Sequence, residues 1–145
     1  MESNNPLDIT LEAEYGQLEA GQAIDEVSVA PNQDIWLNWT AFAPDENGAY
    51  FDIVVKADQN MNSGWGLDLS VNDFNKEVGG AVPQNQTLEL STTDQQIVKN
   101  IHSVAWSGNG INKGANLKYD LVIRDADAMS SATGTINVTY TIVAK

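Results

Sequence analysis

The sequence predicts an all-β protein that folds as a sandwich of two sheets. Apolar residues recur at every second position in segment after segment, and Gly, Pro, Asn or Asp cluster between these segments at intervals of about ten residues. No window sustains the 3.6-residue period of an amphipathic helix, so helix is expected only as a turn near 71–78 or 93–96. About eight strands with this spacing favour an immunoglobulin-like β-sandwich. A chain of 145 residues fits one domain of this kind.

The first part of the chain supplies four of these strands. Residues 7–15 alternate strictly between apolar and polar and predict a half-buried strand, and a weaker one follows at 23–30. The segment 35–42 carries apolar side chains on both faces, which predicts a single strand buried on two sides. A turn rich in Pro, Asn and Gly at 44–48 leads into the next strand, at 50–57.

The later strands follow a polar loop at 58–64. A strand is predicted from 65 to 71, and the less regular stretch 87–106 should hold one or two more. The segment 117–124 alternates as a strand with one solvent-facing side. The most regular alternation of the whole chain lies in 135–142 and predicts its last strand.

Charge restricts the partners that this domain can bind. Twenty Asp and Glu against seven Lys and Arg give a net charge of −13, and the basic residues are scattered singly. Nucleic acid and anionic membrane surfaces are therefore not expected as partners. The acidity is uneven, because residues 1–55 carry eleven acids and no base (net −11) while residues 56–145 carry nine acids and seven bases (net −2).

The absence of Cys excludes disulfide or zinc-thiolate stapling. No apolar run approaches the roughly 20 residues of a membrane span, so no membrane insertion is expected. The start of the chain has neither the basic end nor the apolar stretch of a signal peptide. Met1 is then either native to a cytoplasmic protein or an expression start on a chain whose signal was removed.

Groups for catalysis are scarce, so an enzyme is not expected. His102 is the only imidazole, and Ser103 is its neighbour in sequence rather than an opposed partner. Glu12 and Glu14 share the polar face of the first strand about 7 Å apart, a separation that glycosidases also use. A solvated strand face explains this pair, and we predict no catalytic residue.

One loop is a weak candidate for calcium. Asp58, Asn60 and Asn62 alternate like the oxygen ligands of a calcium loop. However, Gly64 comes one position late for the sharp turn, and Leu69 stands where a bidentate Glu would be needed. An ordinary Asn-rich turn is favoured, so no cofactor is predicted and calcium is the one alternative.

The four tryptophans suggest carbohydrate binding as an alternative function. Trp65 lies in the apolar register of its strand, while Trp36 and Trp39 point to opposite faces of one strand, so at least two of the four should be in the core. An exposed Trp beside an Asn, at Trp39 or Trp106, would suit stacking on a sugar ring. The alternative is therefore a secreted, self-complete β-sandwich that binds carbohydrate, in one version with calcium.

The two most regular strands lie at the two ends of the chain. A long alternating edge either pairs within its own domain or completes the sheet of another subunit. Both choices remain open from the pattern, and the first is the commoner. A virion structural protein that uses such a sandwich for lattice contacts is a further alternative.

Both ends of the chain resemble one known family. The segment Asp8-Ile-Thr-Leu-Glu-Ala-Glu-Tyr15 resembles the N-terminal donor strand of colonisation-factor-type fimbrial major subunits, the alpha family assembled by the alternate chaperone–usher pathway. The segment 132–142, Ala-Thr-Gly-Thr-Ile-Asn-Val-Thr-Tyr-Thr-Ile, resembles their closing strand. Residues 67–72, 82–91 and 107–113 fall in a comparable order, and the absence of Cys agrees.

The resemblance implies an incomplete immunoglobulin-like sandwich that is completed by donor-strand exchange. Residues 1–16 would form the donor segment and residues 17–145 the sandwich domain. The inserted side chains would be Leu7, Ile9, Leu11, Ala13 and Tyr15. The strand flanking the groove would carry Ile136, Val138, Tyr140 and Ile142.

The same resemblance implies a structural pilin-like subunit of an extracellular, cell-surface fimbrium that supports adhesion. Its main partners would be copies of itself in a homopolymer. A periplasmic chaperone would cover the groove before assembly, and an outer-membrane usher would export the fibre.

Overall fold

The computed structural model describes residues 13–15, 27–29, 31–44, 48–61, 64–125, 128 and 135–145. Its strands in chain order are β1 (Ala13–Tyr15), β2 (Val27–Val29), β3 (Asn32–Leu37), β4 (Thr40–Phe42), β5 (Tyr50–Ala57), β6 (Trp65–Asn75), β7 (Val82–Pro83), β8 (Leu88–Glu89), β9 (Gln95–His102), β10 (Val104–Trp106), β11 (Gly114–Ile123) and β12 (Val138–Ala144). Within these residues no helix is long and apolar enough to cross a membrane.

Two antiparallel four-stranded sheets form a β-sandwich, which confirms the predicted fold class. One sheet has the order β3-β11-β6-β8 and is called the β11 sheet; the other has the order β12-β5-β9-β7 and is called the β5 sheet. Two short pairs, β1 with β2 and β4 with β10, complete the described strands. The immunoglobulin-like connectivity stays a prediction.

The core lies between the two sheets and is made by alternate residues of their central strands. Ile53 and Val55 of β5 face Leu69 of β6 and Leu117 of β11 across the sandwich, and all four are buried. This is the two-residue period expected where one face of a strand is covered. The alternation read from 50–57 and 65–71 therefore identified the core strands correctly.

The expected turns of helix near 71–78 and 93–96 are wrong. Strand β6 continues through Asn75, and β9 begins at Gln95. Both stretches lengthen strands that pair with a neighbour, β6 with β11 and β9 with β5. The ladder hydrogen bonds gained there outweigh the weak local preference for helix.

The single strand predicted over 35–42 is in fact two strands in different sheets. Strand β3 pairs with β11, whereas β4 pairs with β10, and the break falls at Asn38 and Trp39. The Asn38 Oδ1 accepts from the N–H of Gly110 at 2.8 Å, and the Ser107 Oγ accepts from the N–H of Trp39 at 3.0 Å. Because these side chains bind backbone from elsewhere, the chain leaves one sheet and enters the other pair.

Burial of β3 is the reverse of the expectation, since it is an edge strand with half-buried residues, not a strand covered on two sides. Strand β11 is central and begins three residues before the predicted segment 117–124, and its first four residues are buried on both faces. From Leu117 to Asp120, buried and half-buried residues alternate as predicted. Asn116 is buried on its outer side, where its amide donates to the carbonyls of Gln33 at 2.8 Å and Ile35 at 3.2 Å.

The two lateral sides of the sandwich differ. On the closed side, formed by β7 and β8, residues 84–87 link the two sheets directly, and residues 90–94 run from β8 back to β9 of the β5 sheet. On the open side, formed by β3 and β12, the hydroxyls of Tyr119 and Tyr140 are hydrogen-bonded to each other. This contact links β12 of one sheet to β11 of the other.

Candidate subunit-docking edge

Strand β12 is the edge strand of the β5 sheet on the open side. The register pairs its apolar residues with buried residues of β5: Val138 with Ala57, Tyr140 with Val55, and Ile142 with Ile53. Directly paired residues point to the same face of a sheet. The side chains predicted to flank a groove therefore point inward, and Ile136, which precedes β12, is half-buried.

The inward-facing side chains of β12 become more exposed to solvent toward the end of the strand. Ile53 is 3% exposed, whereas Ile142, its direct cross-strand partner, is 44% exposed. Val138 and Tyr140 are half-buried. Ile142 therefore points into the sandwich and is still nearly half exposed, and on its outer side no described strand pairs with β12.

A strand added beside β12 would also have a backbone partner. Among the described residues, β12 pairs only with β5, so its second edge carries unpaired N–H and C=O groups. This edge is seven residues long, about 23 Å. Such an edge is a template for pairing with another strand.

Strand β3, the edge strand of the β11 sheet on the open side, would form the floor beneath a strand added to β12. Ile35 and Leu37 pair with the buried residues Leu117 and Ala115 and so face inward, yet they are only half-buried. A strand added to β12 would lie about 4.8 Å from it, and about 10 Å above the β11 sheet. Its inward side chains would then cover Ile35, Leu37 and Ile142 together.

The polar link on this side is uncharged. Burial raises the pKa of Tyr119, and burial together with the nearby Tyr119 raises the pKa of Tyr140 well above its ordinary value. Both phenols are therefore neutral at physiological pH, and one hydroxyl donates to the other. The inner surface of the open side is thus apolar with one satisfied polar pair, which suits the insertion of apolar side chains.

The proposed donor residues are only partly described. Ala13 and Tyr15 belong to β1, which pairs with β2 of the same chain, Ala13 with Val29 and Tyr15 with Val27. Leu7, Ile9 and Leu11 lie outside the described residues. The structure thus gathers the flanking residues on β12, and the end of the donor segment is paired within its own chain.

Asp58, the first residue of the calcium candidate, makes structural hydrogen bonds. The Oδ1 of Asp58 accepts from the N–H of Asn137 at 3.0 Å, and its Oδ2 accepts from the Asn137 side-chain amide at 2.6 Å. These hydrogen bonds hold the pKa of Asp58 below its usual value. Asn60 is exposed, and Asn62 lies outside the described residues. Within the described part of the chain, no three His, Asp or Glu side chains lie close enough to share a metal ion.

The burial of the tryptophans differs from the prediction. Trp39 is buried and stacks on Phe74 with ring centroids 5.6 Å apart, but Trp65 and Trp36 are only half-buried. Trp65 was expected in the core and instead lines a cleft of about 300 Å³ at one end of the sandwich. Of the two tryptophans beside an Asn, only Trp106 is exposed.

His102 is held by structural contacts. Its Nδ1 accepts from the N–H of Val104 at 3.3 Å, and its ring meets that of Tyr50 edge-on with centroids 5.7 Å apart. Glu12 lies outside the described residues.

Sequence reasoning missed the contribution of β3 to the open side. Ile35 and Leu37 lie in an apolar run in which Trp36 hides the alternation. The Pro31-Asn32 turn before this run and Asn38 after it were the available signal that the strand is short.

No family model, curated protein or solved structure matches this chain. The fimbrial resemblance of its two ends therefore stays a prediction. The function has to be inferred from the geometry of the open side.

Proposed function

We propose that this protein is a structural subunit that polymerises by donor-strand complementation. The N-terminal segment of one copy, Leu7 to Tyr15, adds to the free edge of β12 in the next copy. The observation that supports this most is Ile142, which points into the sandwich beside an unpaired edge and is 44% exposed. An inserted strand supplies both what the edge lacks, ladder hydrogen bonds and apolar cover.

The donor segment has the pattern that this position requires. Leu7, Ile9 and Leu11 fall on one face of an extended strand and Asp8, Thr10 and Glu12 on the other. The apolar face would lie over Ile35 and Leu37, and the polar face would remain in water. A strand of nine residues is long enough to pair along all seven residues of β12.

Pairing within the chain opposes this exchange only weakly. Among the described residues, β1 and β2 share a ladder of three residues, less than half the length of the seven-residue edge of β12. Exchange with the longer edge of β12 would gain hydrogen bonds and would bury Ile142. In this account the subunit forms an extracellular fimbrium that supports adhesion, with the chaperone and usher that the resemblance implies, and it needs no cofactor.

The first experiment compares the full chain with a chain lacking residues 1–16. Mass measured by analytical ultracentrifugation should rise with concentration for the full chain and stay monomeric for the shortened one. A peptide of residues 7–15 should bind the shortened chain and raise its melting temperature. The same peptide with Ile9→Asn and Leu11→Asn is the matched control and should not bind.

A pair of neighbouring substitutions tests the edge itself. Ile142→Lys places a charge on the inner face, whereas Thr141→Lys places the same charge on the exposed outer face of the same strand. Assembly should be lost in Ile142→Lys and kept in Thr141→Lys. A full chain that stays monomeric at all concentrations, or a shortened chain with unchanged assembly, contradicts the proposal.

A further inference from the structure

A second exposed apolar surface lies on the short pair of β4 and β10, away from the edge of β12. The register pairs Phe42 with Val104 and Thr40 with Trp106, so these four side chains share one face. The residues between them, Ala41 and Ala105, are buried against the core. The shared face therefore points outward.

This face is wide and partly aromatic. Phe42 is 76% exposed and Trp106 is 40% exposed. Val78, also exposed, joins the same face through backbone hydrogen bonds with Trp106 at 3.0 and 3.1 Å. We call Thr40, Phe42, Val78, Val104 and Trp106 the Trp106 platform.

The indole of Trp106 is held in place by the ion pair of Glu77 and Lys113, which we call the brace. Its Nε1 donates to the Oε2 of Glu77 at 3.2 Å, and the Oε1 of Glu77 accepts from the Lys113 ammonium at 2.7 Å. The bonds from Lys113 and then Trp106 hold the pKa of Glu77 below its usual value, so the brace stays charged. A Cβ at Gly108 would lie 2.9 Å from Lys113 Cδ and 3.0 Å from Glu77 Oε1, so the glycine leaves the space that the brace occupies.

The chemistry of the Trp106 platform fits a sugar ring. Because the polar edge of the indole is already bonded, what it offers a ligand is its ring surface, which suits the apolar C–H face of a pyranose. Glu77 and Lys113 at its rim keep free acceptor and donor capacity for hydroxyls, and Thr40 can act as both. This mixture matches the alternating donors and acceptors around a sugar.

The net charge of the chain and the exposed apolar area of the platform restrict the class of ligand further. A net charge of −13 disfavours anionic glycans and anionic surfaces. The exposed apolar area of Phe42, Val78 and Trp106 is roughly 300 Å², well below the roughly 800 Å² per partner of a stable protein interface. A compact neutral ligand is therefore favoured over a second protein.

We propose that the Trp106 platform binds a neutral glycan, with one pyranose stacked on Trp106 and its hydroxyls bonded to Glu77 and Lys113. The site lies on different strands from the β12 edge and does not depend on assembly. An adhesive fibre built from such subunits would present it many times, so weak single sites would act together.

The test uses the full chain and a panel of oligosaccharides. Cellohexaose, laminarihexaose and lacto-N-neotetraose are the neutral probes, and sialyllactose is the anionic one. Titration calorimetry should show binding of at least one neutral probe, and the NMR resonance of the Trp106 indole N–H should shift with it. Sialyllactose should bind more weakly than the neutral probe of similar size.

Variants assign that binding to the platform. Trp106→Ala should raise Kd about tenfold or more. Glu77→Gln, an exposed position that should leave the fold intact, should raise it severalfold. Ile111→Ala removes an apolar side chain that is 78% exposed and lies outside the platform, and it should change Kd by less than about twofold.

Three results overturn the proposal. These are no binding of any neutral probe, binding that Trp106→Ala and Glu77→Gln leave unchanged, and equal or tighter binding of sialyllactose. Loss of self-association in Trp106→Ala without glycan binding would instead identify the face as a contact between copies. Chains lacking residues 1–16 should still bind the glycan, which separates this proposal from the assembly proposal.

Discussion

On the closed side of the sandwich the chain itself joins the two sheets, whereas on the open side β12 ends a sheet with its inner face partly uncovered. Residues 84–87 and 90–94 on the closed side run from one sheet to the other, and Glu89 O there accepts from the Gln95 side-chain amide at 2.9 Å. On the open side the described link between the sheets is the Tyr119–Tyr140 pair. No described strand pairs with the outer edge of β12, so the strand added in the proposed assembly would lie away from the contacts that close the other side.

The largest effect is expected from a comparison of Ile53 with Ile142, which are direct cross-strand partners on the same face of the β5 sheet. Ile53→Ala creates a cavity in the core and should lower the free energy of unfolding by about 2–5 kcal/mol. Ile142→Ala removes a side chain that is nearly half exposed, and in the dilute monomer it should cost less than about 1 kcal/mol. Denaturant unfolding of both variants measures the difference.

The effect of Ile142→Ala should be larger on assembly than on the stability of the monomer. If a donor strand covers Ile142, Ile142→Ala weakens association by more than it weakens the monomer. Equal losses for Ile53→Ala and Ile142→Ala in the monomer would mean that the open side is already covered, and the comparison of the two sides would fail.

The next effect concerns the floor of the open side. A Cβ at Gly114, where φ is +81°, would lie 2.0 Å from the carbonyl oxygen of Leu37, so Gly114→Ala should push β3 away from β11. We expect a loss of about 2 kcal/mol or more. Gly110, with φ +97° and no atom within 4 Å of a Cβ, is the matched control and should lose about 1 kcal/mol from backbone strain alone. Equal losses in urea unfolding would contradict a tight contact at Leu37.

The sequence predicted the central strands that make the core, because their alternation reports burial of one face, but it did not predict β7 on the closed side. Residues 50–57 were predicted to the residue, and β12 was found within three residues of its start. The division of 35–42 was not predictable from local pattern, since it depends on Asn38 and Ser107 binding backbone distant in sequence. Edge or central position depends on pairing order, which periodicity does not encode.

The candidate surfaces were predicted to different extents. The inward alternation of Val138, Tyr140 and Ile142 could be read directly. The exposure of Ile142 could not, because it depends on which strands pair with β12, and among the described residues only β5 does. The Trp106 platform was visible only as an aromatic residue beside Asn109, since the brace brings Glu77 across 29 residues to Trp106.

A smaller effect tests the link between the sheets on the open side. Tyr119→Phe or Tyr140→Phe should each cost about 1 kcal/mol of unfolding free energy, and the double variant should cost less than the sum because no hydroxyl is left unpaired. The raised pKa of both phenols gives a pH signature. Their contribution is complete below the unfolded pKa of about 10 and is lost as pH rises through the folded values. Melting temperatures should therefore fall more steeply above about pH 10 in the wild type than in the double variant.

The smallest effect concerns the charge of the donor segment. Residues 1–16 carry four acids and no base, and a copy that receives the segment is itself acidic. Added salt screens this repulsion, with a Debye length of about 10 Å at 0.1 M and about 3 Å at 1 M. The association constant from analytical ultracentrifugation should rise severalfold over this range, and the variant carrying Glu12→Gln and Glu14→Gln should associate more tightly with a weaker salt response. Association that weakens with salt would indicate attraction between charged groups at the interface, and the apolar insertion at Ile142 would then not be the main contact.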